Sequence, residues 1–175
     1  ELSLKAPTSS NSQDWHYIVV ESPAQKAKLA KLYRRLYNVF NPLVERQARG
    51  DEKELRAMAP GQWQAENFEH LPVFVIPCIE RRIDSADLLT AASAWASIIP
   101  AAWSFLLALR SRGLGSVWTT LHLAREREVA ELLGIPDTVT QVALFPVAYT
   151  IGTDFKPAVR PPIETITSWN TWDTH

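Results

Sequence analysis

Three groups of residues in this 175-residue sequence have types and spacing that could do chemistry. The first is Pro7-Thr8-Ser9-Ser10-Asn11-Ser12-Gln13, a run of hydroxyl and amide groups that meets no charge before Asp14. Such groups mix donors and acceptors, which suits a polyhydroxylated chain or the edge of a pyrimidine ring. The same residue types also dominate ordinary turns. The second group is Gly113-Leu114-Gly115-Ser116. Glycines let a backbone approach a flat ligand, and free N–H groups there can donate to it; a helix stop followed by a turn reads equally from these letters. The third is Arg160, set among Pro157, Pro161 and Pro162. A guanidinium fork suits a phosphate, and the plain alternative is a solvated surface arginine.

Other chemistries are excluded. His16, His70, His122 and His175 share no ligand spacing, and there is no His-Glu-x-x-His, so no metal site is expected. No Gly-x-Ser-x-Gly elbow occurs. Gly113-x-Gly115 lacks a third glycine and follows a helix rather than a strand, which argues against a dinucleotide fingerprint. The lone Cys78 lies in an apolar run and reads as a small core residue. One thiol makes no internal disulfide, and the expected compartment is the reducing cytoplasm. Lys plus Arg is 18 and Asp plus Glu is 19, a net charge of −1 that offers no field for a nucleic acid. With 46% hydrophobic and 21% charged residues and no repeats, the chain reads as one soluble domain over 1–175.

The elements that must position these groups follow from pattern. Trp15-His16-Tyr17-Ile18-Val19-Val20 is a strand. Ser22-Pro23 opens a helix whose apolar face is Leu29, Leu32, Tyr33, Leu36, Tyr37 and Phe40, broken or kinked at Asn41-Pro42. Residues 45–67 read as a mobile, partly helical excursion with a turn at Ala59-Pro60-Gly61. Residues 71–79 form a strand buried on both faces, with Pro77 marking a bulge or an unpaired position. Residues 88–109 carry no charge for 22 positions, long enough to cross a membrane. Seven alanines, four hydroxyl residues and Pro100 favour a buried helix instead, from about Ile99 to Arg112. Apolar nearly all round, it needs a central place or a second subunit against it. Residues 113–116 make a tight turn, 124–134 a short helix with a Gly134 stop, 141–149 a third strand, and the remainder an extended arm ending at Trp169 and Trp172. Strands with helices between them give an α/β or α+β class.

Taken in order, these pieces resemble the FMN-dependent nitroreductase family. Ala6-Pro7-Thr8-Ser9-Ser10-Asn11-Ser12-Gln13-Asp14-Trp15 matches its Ala-Pro-Ser-x-x-Asn-x-Gln-x-Trp motif, with Val19-Val20 following. Ser97-Ile98-Ile99-Pro100-Ala101, Leu106-Leu107-Ala108, Gly113-Leu114-Gly115 and Trp118-Thr119 are similar to its central helix and the turn after it. Leu132-Leu133-Gly134-Ile135-Pro136 and Arg160-Pro161-Pro162-Ile163-Glu164 complete the set. Two departures stand out. The family's arginine-rich segment, which holds the FMN phosphate and ring, would precede Glu1, so a shortened N-terminus is expected. Ser104 stands where many members carry Asn.

The resemblance implies an α+β, three-layer fold with a mainly antiparallel sheet, built as a homodimer with the C-terminal arm over the partner. It implies FMN as cofactor and NAD(P)H as hydride donor. The expected reaction is a ping-pong cycle that reduces a nitroaromatic, a quinone or a similar small-molecule electron acceptor, with no catalytic side chain of the protein's own. It places Pro7, Thr8, Ser9, Ser10, Asn11 and Gln13 on FMN, some from the opposite subunit. Ile99 and Pro100 would flank the ring, Gly115 and Ser116 would lie near its reactive edge, and Arg160 would meet the phosphate. Residues 45–67 would act as a lid. The alternatives are a flavin- or ligand-binding dimer without turnover, a flavin-cleaving or dehalogenating relative, and a membrane-associated chain using residues 88–109.

Overall fold

The computed structural model describes residues 1–47, 52–152 and 154–172, with backbone only over the helical parts of 43–59. Five strands form one sheet: β1 (Trp15–Val20), β2 (Val73–Ile79), β3 (Leu114–Ser116), β4 (Thr140–Gln141) and β5 (Phe145–Tyr149). Their order is β1-β2-β5-β3, with β4 also on β2, and the pairs are antiparallel. The helices are α1 (Pro23–Gln47), α2 (Glu52–Asn67), α3 (Leu88–Arg110) and α4 (Glu126–Leu133). The α+β, three-layer expectation is met.

Strand alternation divides the core between two faces. Phe74, Ile76 and Cys78 of β2 point to the α1 side, where they join Leu29, Leu36, Phe68 and Val129. Val75 and Ile79 point to the α3 side, against Ala102, Phe145 and Ile98. Both faces of β2 are covered, which is why its sequence is apolar without a break. Pro77 sits in unbroken register with Tyr17 of β1. On its other side Val75 faces Phe145 while Cys78 faces Gln141, so one extra residue is accommodated within 142–144. Pro77 has no N–H to give that side, and its carbonyl accepts from Val142 N at 2.9 Å. The bulge therefore lies opposite the proline and splits the expected strand 141–149 into β4 and β5.

Three expectations about helices are corrected. Helix α1 runs through Pro42 to Gln47, and α2 runs through Pro60 and Gly61 with no turn between Ala59 and Gly61. A helical proline removes one hydrogen bond, and packing of α2 on α1 outweighs it: a Cβ on Gly61 would lie 3.5 Å from the Tyr37 ring. Helix α3 starts at Leu88 rather than near Ile99 and carries Pro100 in its interior. Its start is fixed by Asp87, whose carboxylate accepts from Thr90 N and Thr90 Oγ1, both at 2.9 Å. Those two bonds hold the Asp87 carboxyl below the usual carboxylate range. Residues 113–116 are also not a tight turn: Gly113 has φ 72° and then β3 begins, pairing with β5. Gly134, at φ 69°, ends α4 as expected.

Candidate functional site

The polar loop is constrained in its backbone. Ser10, Asn11 and Gln13 have φ of 52°, 54° and 50°, the left-handed region. Asn visits that region readily, whereas Ser and Gln pay on the order of 1 kcal/mol each. The loop keeps this shape because it is tied at both ends. Ser9 N donates to Ser97 Oγ at 2.9 Å, and Ser97 Oγ donates in turn to Ser93 O at 2.8 Å. At the other end Asp14 pairs with Arg81, and Glu80 N donates to Asp14 O at 2.8 Å. Burial alone would raise the Asp14 carboxyl; the Ser12 hydroxyl and the Arg81 guanidinium reverse this and hold it below its ordinary value. Within the loop Gln13 N donates to Thr8 Oγ1 at 3.2 Å, and Gln13 Nε2 donates to Asn11 Oδ1 at 3.0 Å.

Pro7, Ser10, Asn11 and Gln13 are left exposed. Among the described hydrogen bonds, the Asn11 amide N–H groups, the Gln13 carbonyl and the Ser10 hydroxyl have no protein partner. The loop thus presents a rigid row of donors and acceptors to solvent. The bond to Ser97 sets it beside α3, where Ile99 is 42% exposed and Pro100 is half-buried. A polar rim next to an uncovered apolar side chain can hold a flat ring by its edge and its face.

The remaining expected residues stand elsewhere. Gly115 pairs with Ala148, and a Cβ there would come within 2.6 Å of Thr150 Cγ2. A larger residue at 115 would therefore force the Thr150 side chain at the root of the arm to shift. Ser116 is exposed at the end of β3. Arg160 is exposed on the arm, and no described contact joins it to the loop, α3 or β3. The arm touches the body where the Arg110 guanidinium lies 4.6 Å from the Phe155 ring centroid. Within one chain the structure brings together the loop and α3, and leaves Gly115, Ser116 and Arg160 on separate elements. A hollow of about 360 Å³ opens between Ser3 and Lys5 on one side and Phe105, Ala108 and Leu109 on the other, and it contains none of the site residues. Of the expected lid, the side chains of 45–59 lie outside the described residues.

Sequence reasoning missed Ser97 and Arg81 as the loop's anchors. Ser97 had a signal: a serine facing inward from a helix otherwise apolar needs a partner. Arg81 had none, because its pairing with Asp14 spans 67 residues.

A three-layer fold with an antiparallel sheet, a long apolar helix and a rigid polar loop beside it defines the class. The model of the nitroreductase family matches residues 1–149, and the chain belongs to that family. It is 28% identical over 173 residues to the iodotyrosine deiodinase of Thermotoga neapolitana, spanning 98% of this chain and 83% of that protein. The crystal structure of an oxidized iodotyrosine deiodinase bound to FMN and 3-iodo-L-tyrosine is similar with a TM-score of 0.73 at 25% identity, covering 98% of this chain and 84% of that one. A BluB-like flavoprotein from Clostridium difficile 630 shares the fold with a TM-score of 0.65 at 20% identity, covering 97% and 85%.

Proposed function

We propose that the chain is an FMN-dependent oxidoreductase that takes hydride from NAD(P)H and, in a ping-pong cycle, reduces an electron-poor small molecule such as a nitroaromatic or a quinone. The observation that carries this reading is the loop: left-handed, tied to Ser97 and Arg81, and presenting unpaired amide and hydroxyl groups next to Ile99. That donor set fits the polar edge and ribityl chain of FMN, and FMN when bound supplies the redox chemistry. Pro7, Thr8, Ser9, Ser10, Asn11 and Gln13 would orient it, Ile99 and Pro100 would cover a face, and Gly115 and Ser116 would lie near its edge, with the Ser116 backbone N–H turned away from β5. Arg160 neutralises the phosphate. No protein nucleophile or general base is needed, and Cys78 is unsuited to be one: burial, then the Glu126 charge, push its thiol up to about 12. With a single cysteine and so no internal disulfide, a reducing cytoplasmic setting is the compartment we infer.

The working unit is a homodimer. Helix α3 is long and apolar enough to cross a membrane by length and composition. Its inner side is buried on the sheet, while Leu88, Leu89, Ile99, Trp103 and Leu107 are exposed, with Trp103 at 56%. A second copy of this face, with the arm laid across it, removes that surface from water and sets the separated site residues of two chains side by side.

A second reading has its own support. The likeness to iodotyrosine deiodinase runs over 98% of the chain, so a halogenated phenol is the other acceptor class. The test is an absorption spectrum of the purified protein with FMN after free flavin is removed. It is followed by anaerobic bleaching with NADH or NADPH and reoxidation by a quinone, a nitroaromatic or 3-iodotyrosine. Flavin bands that bleach support the oxidoreductase, and the acceptor that restores them selects between the readings. Bound flavin that no nicotinamide bleaches leaves a binding dimer without turnover.

A further inference from the structure

We propose that Tyr33 is a positioning residue for the flavin site: its hydroxyl, held between Gln64 of α2 and Thr119 beyond β3, fixes residues 116–119 and ties their position to the seating of α2. This rests on the flavin reading above only for the word flavin; the mechanical link is in the chain itself. Tyr33 is 6% exposed, and its ring stacks on Phe68 at 4.2 Å with 7° between planes. A phenylalanine would make that stack equally well, so the hydroxyl is extra. A buried hydroxyl costs stability unless it is paired, and here it is paired twice. Gln64 Nε2 donates to it at 3.3 Å, and it lies 3.1 Å from Thr119 Oγ1. In the bond to Thr119 either hydroxyl can be the donor.

Both ends of this link matter. Thr119 continues the line of β3: Ser116 faces Val147 and Thr119 faces Leu144 in the same register, with Leu144 N donating to Thr119 O at 2.8 Å. Val117 and Trp118, between them, make no ladder pair. The far end of the stretch that carries Ser116 is therefore set by Thr119, whose backbone is held by two bonds to Leu144 and whose side chain is held by Tyr33. At the other end, Gln64 is in the last turn of α2, which Arg34 Nε also holds by donating to Ala65 O at 3.3 Å. A shift of α2 along α1 would reach Thr119 through one side chain.

The test uses Tyr33→Phe, which keeps the ring stack, and Thr119→Val, which removes the same bond from the other side should the first variant fold poorly. Amide hydrogen exchange of flavin-free protein is read first. We expect tenfold or faster exchange at both 117–121 and 60–67 in either variant, with other stretches unchanged. In FMN-loaded protein we expect the FMN Kd to rise about tenfold in each variant, and the double variant to be no worse than either single one. Exchange that changes in only one of the two stretches, or effects on Kd that multiply in the double variant, would overturn the proposal. Wild-type protein that binds no FMN would instead overturn the flavin reading and Tyr33's site role, with the exchange data still showing whether α2 and 116–119 are linked.

Discussion

The two faces of the sheet are finished to different degrees. On the α1 side, Leu29, Phe68, Phe74, Val129 and Leu144 are at most 1% exposed, and α1, α2 and α4 close the layer within one chain. On the α3 side the inner residues Ala94, Ile98 and Ala102 are equally buried, yet the outer side of the same helix is bare at Ile99, Trp103 and Leu107. Contiguous apolar surface is a common mark of interaction sites. Both faces bury a core, but the α1 side is covered within the single chain while the α3 helix leaves its outer side open, and the candidate site lies beside that open side.

The comparison can be broken by substitution. Phe68→Ala on the closed face should cost about 3–5 kcal/mol in urea unfolding, whereas Trp103→Ala on the open face should change monomer stability by less than about 1 kcal/mol and weaken self-association in sedimentation. Equal losses from the two would erase the distinction. The closed face also contains the acid-labile point. His122 is 1% exposed, neither ring nitrogen has a partner among the described residues, and burial lowers its pKa from 6.5 to about 4. The unfolded chain then takes up a proton that the folded one refuses, so stability is complete above pH 6.5 and falls as pH drops towards 4. The loss is about 3 kcal/mol, and His122→Leu should flatten that part of the pH–stability curve.

Smaller effects sharpen the picture on the open side. Gly115→Ala drives a Cβ into Thr150 Cγ2 and should cost about 1–3 kcal/mol, and adding Thr150→Ser, which deletes that methyl, should restore most of the melting temperature. Ser97→Ala unties the loop. It should lower stability by about 1 kcal/mol and weaken FMN binding several-fold by isothermal titration, because the left-handed residues lose the anchor that holds them. An unchanged FMN affinity would show that the loop's shape does not depend on α3.

Local chemistry was legible in the letters. The β1 strand, the Gly134 stop, the burial of Cys78 and the disturbance at Pro77 all follow from residues within a few positions of each other. The loop's composition showed a run of donors and acceptors; only the family resemblance pointed from it to FMN. What the letters did not show depends on packing. Pro42 read as a break or kink, Pro60 as part of a turn and Pro100 as an early helix position, because local propensity penalises proline inside a helix, and tertiary contacts carry the helices through. The start of α3 was legible in Asp87 and Thr90 but was outweighed by Pro100. Arg81 with Asp14, Arg82 with Glu126 and Tyr33 with Thr119 are pairs across 67, 44 and 86 residues, and nothing local announces them. The apolar outer side of α3 was legible as composition, since its sequence is apolar nearly all round.

Val20 and Phe74 are register partners in adjoining strands, yet α1 and α2 both lie between them in the chain. The two helices form an excursion whose ends are already pinned together by the sheet. Lengthening a flexible excursion changes the entropy of closing it slowly, by about 0.6 kcal/mol for each doubling. The pair is seated at its base through Arg34, Tyr33 and Tyr37. A change in the length of chain between β1 and β2 therefore carries a small entropic cost, while the sheet beneath keeps the same register.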